Sequence, residues 1–464
     1  MAVIAVAAYN NLSVSAALPA IGDDLGNLAW LPTVVTVELI ASAIAVLAVG
    51  PIIDSIGANR VMRFLLVAFM GAALVAGLAP TMAVLIVGRA LQGLASGALI
   101  ATVMAAMGLA VPVHLRARAY AANSSVWGVM GLAGPAVAAL LLTIFDWRAL
   151  FFVNIPVAVF AWFVGRNAFP GPTEHARAAK SDRVGITLAA LFTVILLGAI
   201  SALTWFTPLL LVLGGLVLWT YLRYERTAND PVLQRRHLFA EKFRWLHITA
   251  FLVISGGIAA NAFLPVYIKA GQGASTGQAA FTVVFMTVGW TIGAFVSSLM
   301  AERRAGEWVI QVFSLMLAIV LAASAVVVGL DLPLPLLFAL FMLVGGGLGG
   351  VSSVGLAVLQ DQAEPAQMGR VNSAHQFIRT LGFSYGAAIG GAVIFGVVAA
   401  RLGSAEVVRD LLGDDEVVAA VETVEAVQSG FFWALVVAAT ICSAAAVSSL
   451  KLSSAERTSV AERG

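Results

Sequence analysis

Two charged side chains stand inside long apolar runs of this chain, and chemistry would pass through them. Glu38 lies in Thr36-Val37-Glu38-Leu39 and is the only carboxylate well inside an apolar segment. Arg89 lies several residues into another run, in Gly88-Arg89-Ala90-Leu91-Gln92-Gly93. A charge in hydrocarbon is costly, so ionisable groups there face a cavity or a partner and mark ion or substrate paths. A carboxylate at that depth must be paired or protonated. One that alternates between these states can exchange protons. Glu38 is therefore expected to bind either a coupling proton or a cationic substrate, with Arg89 tuning it. The plainer alternative is a neutral acid hydrogen-bonded between helices.

Other residue patterns carry weaker signals. Gly50-Pro-Ile-Ile-Asp54-Ser-Ile-Gly57-Ala-Asn-Arg60-Val-Met-Arg63 reads as a tight turn between helices. In it Gly57 can take a left-handed conformation, and Asp54 can cap a helix or pair with an arginine. Gly128, Gly131, Gly134 and Pro135 lie on one apolar stretch, where glycine beside proline loosens a helix and admits a close neighbour. Tyr9, Asn10, Asn11, Gln92, Asn123, Trp127, Asn261, Tyr267, Trp290 and Arg379 are polar or amphipathic side chains that could line a central cavity. For any one of them, packing against a neighbouring helix is the simpler reading. Gly345-Gly-Gly-Leu-Gly-Gly350 lies within a span and lacks the Lys-Ser/Thr of a phosphate-binding loop, so no nucleotide site is expected. No metal-ligand spacing and no nucleophile–base pair are visible, so no metal site or catalytic residue is expected.

The elements that must position these residues follow from composition. Of 464 residues 61% are hydrophobic and only 11% charged, with mean hydropathy +0.98. A soluble domain carries about 25% charged residues. Too few charges remain here to wet a surface of this size, so the solvent must be largely lipid. Backbone in lipid satisfies its own hydrogen bonds only as helices or closed barrels, and the apolar runs are unbroken rather than alternating. About fourteen spans are predicted, at 2–21, 28–50, 61–79, 82–111, 119–143, 149–168, 184–203, 205–222, 245–268, 277–300, 308–330, 333–358, 371–400 and 428–450. With the N-terminus placed inside, alternate loops hold twenty Lys and Arg residues against four outside, a strong positive-inside signal. Both termini are then cytoplasmic, and the first apolar stretch, without a basic leader or cleavage signal, is expected to be retained. The net charge of +2 gives no reason to expect nucleic acid.

In this order and on these spans, the residues resemble the major facilitator superfamily, and the span plan resembles its fourteen-span drug:proton antiporter family. Gly50 to Arg63 is similar to the family's gating loop. Arg89, Gln92 and Gly93 are similar to its fourth-helix signature, and Gly134-Pro135 to the fifth-helix signature of exporters. Asp230-Pro231-Val232 through Leu238-Phe239 resembles the run before its ninth helix. Gly369-Arg370, Ser373, Phe377, Arg379, Gly382 and Gly386 resemble the start of its thirteenth helix and that helix itself. The chain departs from the pattern at Ser55, Ala58 and Asn59, where the family has basic residues. It also has Asn10 in place of an aspartate, and Glu38 where tyrosine is common.

The resemblance implies an all-α polytopic membrane protein with two six-helix bundles facing a midplane cavity. The expected domains are 1–168, the linkers and inserted hairpin 169–244, and 245–450 with an acidic outer segment at about 402–427, followed by a tail 451–464. The implied function is proton-coupled export of lipophilic, including cationic, small molecules from a monomer in the inner cell membrane. The proton gradient is its only energy source, and no cofactor is expected. An exporter of an endogenous lipid, siderophore or metabolite fits the same motifs. A facilitator-type importer fits less well, and a membrane enzyme or receptor least.

Overall fold

A computed structural model describes residues 1–26, 30–165, 171, 182–202, 207–228, 231–274, 278–279, 282–403 and 421–452. The acidic stretch 404–420, the tail from 453, Asp230, and the side chains of Asn11 and Pro135 lie outside the described residues. The described chain is helical throughout its ordered elements. In order these are α1 (Ala2–Leu25), α2 (Leu31–Ile56), α3 (Ala58–Gly77), α4 (Met82–Ala110), α5 (Val113–Ile144), α6 (Ala149–Phe152) and α7 (Asn154–Gly165). The inserted pair follows as α8 (Arg183–Ala202) and α9 (Thr207–Glu225), then α10 (Arg235–Phe239) and α11 (Glu241–Asn261). A short α12 (Leu264–Val266) runs into a π-helical turn, Tyr267–Gly271. The last elements are α13 (Val283–Ala301), α14 (Gly306–Gly329), α15 (Leu334–Asp361), α16 (Met368–Leu402) and α17 (Val421–Ser449).

Among the described residues, eleven helices are long and apolar enough to cross a membrane, against the fourteen spans expected. The difference lies at three places. The stretch expected at 149–168 is interrupted by a turn at Val153 and is described only to Gly165. The apolar helix Arg183–Leu196 is short, and α1 is helical but carries several undescribed side chains. Outward faces of the long helices carry exposed Phe64, Val87, Leu140, Leu216 and Ile319, an apolar surface suited to lipid.

The chain divides into two compact units. The first comprises Met1–Ala240 with Leu359–Phe377, and the second comprises Glu241–Val358 with Ile378–Gly464. The inserted hairpin α8–α9 thus belongs to the first unit, where α8 also packs on α2. Within that unit α2 lies along α4, α3 along α4, and α1 along α5. The α2–α4 approach is set by glycine: a side chain on Gly93 would collide with the Glu38 carbonyl, and one on Gly97 with the Ser42 carbonyl. At the other end of α2 a single residue separates it from α3. Gly57 makes that turn at φ 82, a backbone region that strains other residues.

Within the second unit α17 packs along α14 and α11. The glycine run at 345–350 lies on α15. Side chains at Gly345 and Gly349 would strike the Met286 and Trp290 carbonyls of α13, and one at Gly350 would strike the Phe313 ring of α14. The run is a packing surface for two helices, which explains six residues of extreme glycine content without a phosphate.

Candidate functional site

Glu38 and Arg89 meet in the first unit, each only 1% exposed. Glu38 sits on α2, and Arg89 on α4 close to Gly93, where the two backbones come together. Arg89 Nη2 lies 3.7 Å from Glu38 Oε2, an ion pair slightly too long for a direct hydrogen bond. The guanidinium is otherwise well satisfied. Its Nε donates to the Val34 carbonyl at 3.2 Å, and Nη1 donates to Asn10 Oδ1 at 3.0 Å and to Gln92 Oε1 at 3.1 Å. Glu38 Oε1 accepts from Ser96 Oγ at 3.1 Å and from Asn10 Nδ2 at 3.5 Å. Asn10, on α1, therefore bridges acid and base with its two amide ends. All five side chains are buried.

This arrangement separates what each partner can do. An arginine remains protonated under any physiological condition. Only the carboxylate can change charge, and when it does Arg89 keeps three neutral acceptors. Neutralising Glu38 thus weakens one contact without stranding a buried guanidinium. Ser96 was absent from the sequence expectation. Its signal was its spacing, since positions 89, 92 and 96 share one face of a helix. Asn10 stands where the resembled family has an aspartate, and its place between the pair is visible only in the structure.

A second polar group lies at the α2–α3 turn. Asp54 Oδ1 accepts the Gly369 N–H at 2.6 Å and Oδ2 the Arg370 N–H at 3.1 Å, so its carboxylate caps the N-terminus of α16. The contact demands small residues, because a side chain on Gly50 would press on Ser373 Oγ at 2.8 Å and the Gly369 carbonyl at 3.0 Å. Arg60 and Arg63 are exposed, and Arg63 lies over the Trp162 ring at 5.6 Å. Nearby, a buried amide network was not anticipated. Gln360 Nε2 donates to the Met104 carbonyl at 3.0 Å and to Asn372 Oδ1 at 3.1 Å. Asn372 Nδ2 donates to the Ala101 carbonyl at 3.1 Å, and the Tyr120 hydroxyl donates to Gln360 Oε1. Arg116 pairs with Asp361 at 2.5 Å.

The remaining expected residues are scattered. Gly134 is buried on α5 while Gly128 and Gly131 are half-buried. Tyr9 is buried on α1, and Asn123 and Trp127 are half-buried on α5, with Asn123 Oδ1 unpartnered among the described residues. In the second unit Asn261 Oδ1 is likewise unpartnered, whereas Tyr267 stacks on Phe431 at 4.6 Å and accepts from Gln272. Trp290 stacks against Phe383 at 6.5 Å. Beyond the apolar part of α1, Asp24 accepts from Trp147 Nε1 at 3.0 Å and Arg148 Nη1 at 2.9 Å. Those hydrogen bonds, Trp147 first and then Arg148, hold its carboxyl below the usual carboxylate range.

Comparison with known proteins agrees with this architecture. Among solved structures, a bacterial homologue of the iron transporter ferroportin superposes with TM-score 0.67 at 12% identity, covering 98% of each chain. The proton:xylose symporter XylE gives TM-score 0.62 at 12% identity, covering 95% of this chain and 92% of its own. At that identity the likeness is one of fold. In sequence, an uncharacterized MFS-type transporter of Mycobacterium tuberculosis is 28% identical over 412 residues. The match takes in 87% of this chain but only 59% of that longer relative. The multidrug efflux pump SdrM of Staphylococcus aureus is 27% identical over 392 residues, 83% of this chain and 86% of its own. Multidrug resistance protein 3 of Bacillus subtilis is 25% identical over 411 residues, 87% of this chain and 80% of its own. The model of the Major Facilitator Superfamily matches residues 1–387. With its long apolar helices and two helical units, the chain belongs to the Major Facilitator Superfamily and is a multi-pass membrane protein.

Proposed function

We propose that this protein is a membrane transporter, a proton-coupled exporter of lipophilic small molecules of the fourteen-span drug:proton antiporter type, in the inner cell membrane with both termini cytoplasmic. The observation that carries the reading is Glu38, a buried carboxylate whose charge can change while its arginine partner stays satisfied. A proton needs no room to reach it. A cationic cargo would have to displace Arg89 and the Ser96 and Asn10 donors, which favours Glu38 as the proton carrier. The multidrug names of the Staphylococcus and Bacillus relatives support a lipophilic cargo. In this reading α1, the α6–α7 stretch and α8 complete fourteen spans, and the distribution of Lys and Arg sets the orientation. The proton gradient supplies the work, with no cofactor.

The test is efflux from vesicles carrying purified protein, driven by an imposed pH gradient, with lipophilic dyes as cargo. Native protein should expel dye only with the gradient, and Glu38→Gln should abolish the gradient-driven component while dye binding persists. Efflux that continues unchanged in Glu38→Gln refutes the assignment.

A further inference from the structure

Arg379 differs from Arg89 in a way that the transport reading does not use. Both arginines lie within membrane-spanning helices. Arg89 has three hydrogen-bond acceptors and a carboxylate. Arg379, on α16, has no hydrogen-bond or ion-pair partner among the described residues, and it is only half-buried. An unpaired guanidinium cannot escape by losing its proton. It also cannot reach the start of its own helix. Eleven residues separate it from Met368, about 16 Å along the axis, farther than an arginine side chain extends.

The described residues of the second unit supply no carboxylate partner within that span. Its described carboxylates are Glu241, Glu302, Glu307, Asp331, Glu422 and Glu425, and each stands at a helix end or in a turn. Ionisable residues inside a membrane face the protein interior or a water-filled cavity, not lipid. The face of α16 that carries Arg379 is therefore not a lipid face, although the side chain is not fully buried. Phe383 lies one turn further along that face, 39% exposed, and stacks on Trp290 of α13. Tyr385 meets Phe251 of α11 edge-on at 5.7 Å. A fixed positive charge thus stands one turn from partly open aromatic rings, with no anion paired to it among the described residues.

We infer that Arg379 is the anion-recognition point of the cargo site, and that the cargo is a lipophilic aromatic compound bearing a carboxylate or sulfonate. This rests on the transport reading and names the cargo class for it. The rings supply a stacking surface for an aromatic frame, and the guanidinium supplies a charge-assisted pair that is strong because it is partly desolvated. The cargo's negative charge replaces the missing protein partner.

The test uses the full chain in phosphatidylcholine nanodiscs and two dyes with one aromatic frame, anilinonaphthalene sulfonate and the uncharged N-phenylnaphthylamine, each corrected for empty discs. Native protein should bind the sulfonate about tenfold or more tightly than Arg379→Gln does, with the uncharged dye unaffected. Arg379→Lys, which keeps the charge and guards against a folding artefact, should retain part of the preference. Equal sulfonate affinity in native protein and Arg379→Gln overturns the inference. So does an equal loss of both dyes in Arg379→Gln. Abolition of sulfonate binding by phosphatidylglycerol in the disc would make a lipid headgroup the occupant, and overturns it as well. The transport reading fails separately: if neither dye leaves vesicles under a pH gradient while the sulfonate preference persists, the anion site stands and proton-driven export does not.

Discussion

Glu38 and Arg89 are both buried, yet their substitution should not be equivalent. Removing one member of a buried pair leaves an uncompensated charge, commonly at a cost of about 3–5 kcal/mol. Here each variant has a partial escape: Arg89 keeps three neutral acceptors when Glu38 is replaced, and Glu38 can take up a proton when Arg89 is replaced. A double-mutant cycle of Glu38→Gln and Arg89→Gln on thermal unfolding in detergent should give a coupling of about 1–3 kcal/mol. Additive effects would show that the 3.7 Å pair contributes nothing. Both residues were legible in the sequence because a charge inside an apolar run has few innocent explanations. Ser96 and the bridging role of Asn10 were not, because an uncharged polar side chain in a membrane helix has many uses and only the approach of α1, α2 and α4 makes these neighbours. Arg379 was visible as a charge, but that no described residue pairs with it needs coordinates.

Helix packing in the second unit turns on individual glycines. Gly345 and Gly349 of α15 lie against backbone carbonyls of α13, while a methyl at Gly346 would meet its nearest neighbour at 3.7 Å, an ordinary contact. Gly345→Ala and Gly349→Ala should each cost about 1–3 kcal/mol through overpacking, and Gly346→Ala should be tolerated. Thermal midpoints of the three variants decide this, and equal stability would mean that α13 and α15 do not approach as described. From the sequence the run could only be denied a phosphate-binding role, since which of its five glycines face a neighbour depends on helix rotation. At the end of α1, Asp24 ties that helix to Trp147 and Arg148 in the turn before α6. Its folded-state pKa lies below the unfolded value. The contact therefore stabilises above the ordinary aspartate value of about 4, and the contribution is lost as pH falls through the lower folded value. Amide exchange across residues 145–152 should accelerate over that acid range, and Asp24→Asn should remove the pH dependence.

At the scale of the molecule, the boundary between units does not follow the chain's order, because Leu359–Phe377 belongs to the first unit while the helices on either side of it belong to the second. A reading of apolar segments cannot reveal this, since it sees two spans and the loop between them. The reason is polar. Gln360 and Asn372 hold carbonyls of α4, Tyr120 of α5 holds Gln360, and Asp54 of α2 caps the start of α16. These bonds are buried or half-buried, so each opening leaves a polar group unsatisfied, at about 1–3 kcal/mol. Tyr120→Phe deletes one donor and leaves the shape unchanged, while Asp54→Ala frees the Gly369 and Arg370 amides. Each should raise amide exchange in residues 359–377 by roughly tenfold, following about 1.4 kcal/mol per decade, with exchange in α13 and α14 unchanged. Equal acceleration throughout the second unit would mean that this segment does not open on its own, and exchange unaltered by either variant would show that the polar bonds do not hold it.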